Sequence, residues 1–184
     1  MKTKSPLKKP TRPAATKTVP DRAAAPVIDL VPSFLRLKKI LVPVDFSEFA
    51  AKAVKYAARF AEQFGATLVV VHVIEPVRSP ESVLIPPEME EVNRGRLQLA
   101  RSALAEFVRK QVPAGLHTET LTRLGHPVEH ITSAARDFDA DLIVIATHGH
   151  TGLKHLLLGS VAERVVRLAP CPVLTVRERE REFL

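Results

Sequence analysis

The residues best suited to chemistry lie in one stretch of this 184-residue chain. Leu142–Ala146 is a short apolar run rich in Ile and Val. Behind it come Gly149 and Gly152, then Gly159 with Ser160, and a helical pattern of Val161, Val165 and Leu168 that stops before Pro170 and Pro172. Glycines in such a loop let main-chain N–H groups face a ligand, and Ser160 stands where a helix N-cap would be. That combination suits an anion, phosphate above all. His148, His150 and His155 bring pH-dependent charge to the same loop and Lys154 a permanent one. The histidine spacing matches no standard zinc pattern, so no protein-borne metal site is expected. His72, inside another apolar run, reads as a hydrogen-bonded core histidine.

Competing chemistries fail on their own residues. There is no G-x-x-x-x-G-K-S/T loop and no G-x-G-x-x-G after the first strand. A D-x-D phosphatase motif is broken because Ser47 stands two residues after Asp45, and a receiver's phosphorylatable Asp would fall where Leu124 and Gly125 are. No nucleophile and base occur in a credible order, so no dedicated catalysis is expected.

Positioning these residues is the work of alternating elements. Leu142–Ala146 has the pattern of a strand buried on both faces of a parallel sheet. Lys39–Asp45 is a second such strand, ending in an acid. Ser47 then caps a helix with apolar positions Phe49, Ala53, Ala57, Phe60 and Phe64, which Gly65 terminates. Ala66–Ile74 is a third buried strand, completing a βαβ unit. Residues 75–93 carry Pro76, Pro80, Pro86 and Pro87 and read as a long irregular connection. Leu97, Ala100, Leu104 and Phe107 mark a helix that ends near Pro113 and Gly115. Leu116–Leu124 alternates in the manner of a strand near the sheet's edge. Pro127, at a first helical position, opens a helix with Val128, Ile131, Ala135 and Phe138. Pro172–Val176 supplies a fifth strand. Five strands alternating with four helices predict a doubly wound α/β domain, a parallel sheet with helices on both faces.

Composition narrows the function classes. With 46% apolar residues the chain can build one core and is short for two. No apolar run reaches the roughly 18 residues of a membrane span, and no secretory h-region opens the chain, so a cytoplasmic protein without membrane partners is expected. Cys171 is the single cysteine, which excludes an internal disulfide; it reads as a small residue entering a buried strand. Of the net charge of +7, residues 1–39 hold +8, ten Lys and Arg against two Asp, which leaves the remainder at −1. The basic character therefore belongs to residues 1–39, of which 1–35 form a Pro-, Lys- and Ala-rich arm expected to be disordered. The expected domain is 36–178, and 179–184 a charged tail. Nucleic acid is expected to be no partner except weakly, through that arm.

The segment Gly149, nine residues, Gly159, Ser160 resembles the nucleotide loop of the universal stress protein family, whose ATP-binding members carry G-x-x-G, nine residues, then G and Ser or Thr. KKILVPVDFSE near the start and LVVVHVIE after it extend the resemblance from about Lys38 to Arg177. It implies the strand order 3-2-1-4-5 of an adenine nucleotide alpha-hydrolase-like fold. Strands one and four then lie side by side where the winding reverses, and ligands in open sheets sit beyond the strand ends at such a switch point. The resemblance further implies ATP as ligand, with a divalent Mg or Mn bridging its phosphates. Pro43, Val44 and Asp45 match the end of the first strand, where an acid accepts hydrogen bonds from the ribose hydroxyls; repulsion keeps a carboxylate away from the triphosphate. Val73 matches a residue whose backbone recognises adenine. Gly149, Gly159, Ser160 and Val161 match the phosphate cradle. Two positions depart from the family: Ala146 replaces the first loop glycine, and His150 stands where Arg or Lys is frequent. The function implied by the resemblance is that of an ATP-dependent stress-response switch, a homodimer paired through Pro172–Val176 and compatible with slow ATP hydrolysis. The alternative is a dimeric interaction module that needs no nucleotide.

Overall fold

The structure, a computed structural model, describes residues 36–77, 87–149 and 159–177, which belong to a unit beginning at Leu35. In chain order these form β1 (Lys39–Pro43), α1 (Glu48–Phe64), β2 (Thr67–Ile74), α2 (Pro87–Gln111), β3 (Thr118–Leu124), α3 (Pro127–Asp137), β4 (Leu142–Ala146), α4 (Ser160–Leu168) and β5 (Val173–Val176). The strands form one parallel sheet in the order β3-β2-β1-β4-β5, as the resemblance implied.

Alternation along the central strands sends side chains to both faces, and each face has its own core. Ile40, Val42, Leu68, Val70 and Val144 pack with the α1 alanines and Leu104 of α2. Leu41, Val69, Val71, Ile143 and Ile145 pack with Val128, Ile131 and Ala135 of α3 and with Ala162 and Val165 of α4. Strands buried on both faces must be apolar throughout, which is why β1, β2 and β4 show almost no polar alternation.

Local chemistry sets the boundaries. Ser47 Oγ accepts from the N–H of Ala50 at 3.1 Å and opens α1. Gly65, at φ 64°, closes it with its N–H on the carbonyl of Ala61. Several expectations are corrected. The first strand ends at Pro43, because Val44 and Asp45 already turn toward the helix. The buried residues of α1 are Ala50, Ala53, Val54, Tyr56, Ala57, Ala58 and Ala61, while Phe49, Phe60 and Phe64 are half-buried. Small side chains let the helix lie close to the sheet, so the phenylalanines flank the contact. Residues 75–93 are not all irregular: α2 already begins at Pro87, a residue tolerated at a first helical position, with Glu88 and Glu90 in its first turn. Pro80 and Pro86 lie outside the described residues. The outer strands begin later than read, at Thr118 and Val173.

Candidate functional site

The sheet opens where β1 and β4 part. These neighbours are in register only at Ile40–Leu142 and Leu41–Ile143, whereas β1 follows β2 as far as Pro43–Val71. Beyond those pairs lies a cleft of about 280 Å3 at the carboxyl ends of the strands. Pro43, Val44, Asp45, Val73, Ala146, Gly149, Gly159, Ser160 and Val161 all line it. These nine residues, named for the site from the sequence, thus fall on one surface. That surface also includes residues the sequence did not flag: Ala50, Val71, Thr147 and Ala162, with Pro127, Ile131 and Ile145 as an apolar wall. The periodicity that marked Ile131 as core held no signal for its place on a wall. His148, read only as a charged loop residue, is a lining residue too.

Each polar position has a local cause. Asp45 is fixed by the helix it precedes: its Oδ1 accepts from the N–H of Ser47 at 3.0 Å and from Ser47 Oγ at 2.5 Å. Oδ2 looks toward Gly149, where a side chain would overlap it. Phe46 makes the turn between them in the left-handed region at φ 68°. Val73 follows from strand alternation. Val71 sends its carbonyl to the N–H of Val44 at 2.8 Å, and Val73, two residues on, points its N–H and C=O the same way, past the end of β1. His72 lies between them, half-buried, with Nδ1 2.7 Å from the carbonyl of Val44. It is hydrogen-bonded as expected, though not fully buried.

The glycines are required by space. Gly159 donates to the carbonyl of Thr147 at 2.7 Å, and a Cβ on it would lie 3.0 Å from that same oxygen. Neither Gly149 nor Gly159 has a positive φ, so what crowds a side chain there is not the backbone angle but a neighbour, the Asp45 carboxylate at Gly149 and the Thr147 carbonyl at Gly159. Ala146 is likewise free of left-handed strain: among the described residues the non-glycine positive φ values belong to Phe46 and Asp139. The expectation that Ser160 caps the helix is corrected. Gly159 is the N-cap and makes no side-chain cap bond, and Ser160 is the first helical residue. The amides of Ser160, Val161 and Ala162 open α4 without intrahelical partners at the positive end of the helix, against the cleft. Leu168, expected on the buried stripe, is 60% exposed because Ala162 and Val165 make the contact.

His150, Gly152, Lys154 and His155 lie outside the described residues. Asp45 is the one carboxylate among the described lining residues, and no trio of His, Cys, Asp or Glu among the described residues could hold a metal ion. A divalent cation would have to be held chiefly by the ligand's own phosphates. No helix among the described residues is long and apolar enough to cross a membrane.

Comparison with known proteins agrees with this geometry. Residues 36–177 match the family model described as the Universal stress protein family. A universal stress protein of Thermus aquaticus is 40% identical over 141 residues, covering 76% of this chain and 98% of its own. The universal stress protein MJ0531 of Methanocaldococcus jannaschii is 36% identical over 151 residues, covering 79% and 85%. Among solved structures, that of MJ0577 from the same organism superposes with a TM-score of 0.69 at 30% identity, over 80% of this chain and all of that one.

Proposed function

The chain belongs to the universal stress protein family, and from that premise we propose that it is a cytoplasmic homodimer whose strand-end cleft binds ATP, with Mg or Mn, and whose occupied shape is read by other proteins. The observation that carries this reading is the convergence of two kinds of polar group on one cleft. The carboxylate of Asp45, held by Ser47, and the amides at the start of α4 both line it. The apolar wall of Val71, Val73, Pro127, Ile131 and Ile145 suits a purine, and the outward N–H and C=O of Val73 suit its edge. Asp45 and Gly149 would flank the ribose, with Gly159, Ser160 and Val161 around the phosphates. The distance of the carboxylate from the α4 amides then matters, because a phosphate beside Asp45 would be repelled. Among the lining residues Thr147 Oγ1 lies 2.9 Å from Nδ1 of His148; in this reading the bound nucleotide acts as an effector that favours one conformation.

Calorimetry with Mg-ATP tests this. Heat is expected from the native protein and none from Gly159→Asp, whose side chain would meet the carbonyl of Thr147 and repel phosphate. Absence of heat and of a thermal shift at millimolar ATP would leave the second reading, a nucleotide-independent dimeric module. Both readings share the dimer, for which β5 is an edge strand of the sheet and Val166 and Leu168 on α4 stay 46% and 60% exposed.

A further inference from the structure

The turn that presents Asp45 is made by an unusual residue. Phe46 is an aromatic residue in the left-handed region, at φ 68°, where a side chain is disfavoured and glycine is the usual choice. A conformation of that kind persists only where its surroundings over-determine it, and such outliers cluster at functional sites. The surroundings here are specific. The Phe46 ring lies 4.3 Å from the His72 ring, centroid to centroid, and 5.5 Å from Phe107 of α2 in an edge-on arrangement. All of this is on the α1 and α2 face of the sheet, where Phe46 packs against the core. Asp45, one residue earlier, lines the cleft instead.

His72 ties the same turn from another direction. A carbonyl oxygen can only accept, so the 2.7 Å contact with the carbonyl of Val44 places the proton of His72 on Nδ1. Val44 is thereby held at both ends, its N–H by Val71 and its carbonyl by His72. On the far side, Ser47 holds Oδ1 of Asp45. Asp45 is therefore bracketed by a pinned residue before it and a ring anchored behind the sheet after it. A carboxylate can distinguish a vicinal diol from a sugar lacking hydroxyls only if its oxygens stay in one orientation.

The geometry points to Phe46, its ring tilted against that of His72, as a positioning residue: it aims the Asp45 carboxylate into the cleft and so sets the preference for a ligand whose sugar carries both hydroxyls. This rests on the reading of the cleft as a nucleotide site. Phe46 acts through Asp45 and not by touching the ligand. A glycine in its place would keep the left-handed turn without strain and remove only the anchor.

The test compares the affinities of Mg-ATP and Mg-2′,3′-dideoxy-ATP by calorimetry for the full chain and its variants. Their ratio cancels any general loss of stability, which a merely structural role would affect equally for both ligands. The native protein is expected to prefer ATP by about tenfold or more, the size of a charge-assisted hydrogen bond. Phe46→Gly should bring the two affinities within about threefold of each other, chiefly by weakening ATP, and Phe46→Tyr should restore the preference. His72→Leu, which removes both the ring contact and the hydrogen bond to Val44, carries the same expectation and serves if the glycine variant does not melt cooperatively. A native-like preference in Phe46→Gly or in His72→Leu would overturn the inference while leaving the nucleotide site in place. Equal affinities in the native protein would overturn it by removing the role of Asp45. Failure of the native protein to bind either compound would end the site reading, and this inference with it.

Discussion

At the scale of single residues, the candidate site is built from close approaches. Gly159 could not be anything larger without displacing the carbonyl of Thr147, and Gly149 could not without displacing Asp45. Both glycines line the cleft, and neither has the positive φ that would by itself call for glycine. The residue that does is Phe46, at a cost on the order of 1–2 kcal/mol, and nothing in the sequence distinguishes it from any other aromatic after a strand. Gly159→Asp should reduce ATP affinity at least tenfold while leaving the far-UV circular dichroism unchanged. Cys171 offers a second check. Burial pushes its thiol above the ordinary cysteine range, with the charge of Asp141 adding to the effect. The protonated thiol is thus favoured by the folded state. Its contribution to stability is complete below the pKa of the unfolded chain and is lost as pH rises through the higher folded value. Iodoacetamide should accordingly modify Cys171 more slowly in the native protein than in urea at mildly alkaline pH. Equal rates would contradict the burial argument.

At the scale of elements, caps and alternation explain more than propensity does. The hydroxyl of Ser47 accepts from the first turn of α1 and donates to Asp45, so one side chain serves helix and cleft together. Ser47→Ala should cost about 1 kcal/mol in a urea titration, and the same variant should weaken ATP binding by releasing Asp45; a midpoint unchanged from native would deny the cap its role. The start of α2 is where the sequence misled, because four prolines suggested irregular chain. A proline at a first helical position is invisible to a rule that counts prolines as breakers, and Pro87 occupies such a position. What anchors that helix became visible only in three dimensions. Asn93 is buried, accepting from the N–H of Val77 at 2.9 Å and donating to its carbonyl at 3.2 Å, while Arg96 donates to the carbonyl of Glu75 at 2.9 Å. These bonds fasten α2 to the chain leaving β2.

At the scale of the whole molecule, the edge of the sheet is the feature that calls for a partner. The carbonyls of Pro172 and Val176 accept from Ile143 and Thr147 of β4 or its margin at 3.0 and 2.9 Å, so Val173 and Thr175 turn their N–H and C=O groups outward. An edge left unpaired among the described residues is a pairing template, and the proposed homodimer would pair it with a second copy about a two-fold axis. Thr175→Pro deletes an outward donor and none that faces β4. It should therefore convert the proposed dimer to a monomer by light scattering while the cooperative melt is retained; an unchanged dimer mass would send the interface elsewhere. The sequence by itself determined the order and type of the elements and the two-faced burial of the central strands, while the resemblance to a family supplied the residues of the cleft. Periodicity, caps and loop glycines are local signals, and local backbone physics reads them directly. Only the tertiary structure decided that β1 and β4 diverge after two paired residues, that a tight loop rather than a left-handed one demands Gly149 and Gly159, and that Phe46 is held behind the sheet by His72 and Phe107. Those outcomes depend on which distant residues come within a few ångströms of each other, and no spacing along a single chain encodes such distances.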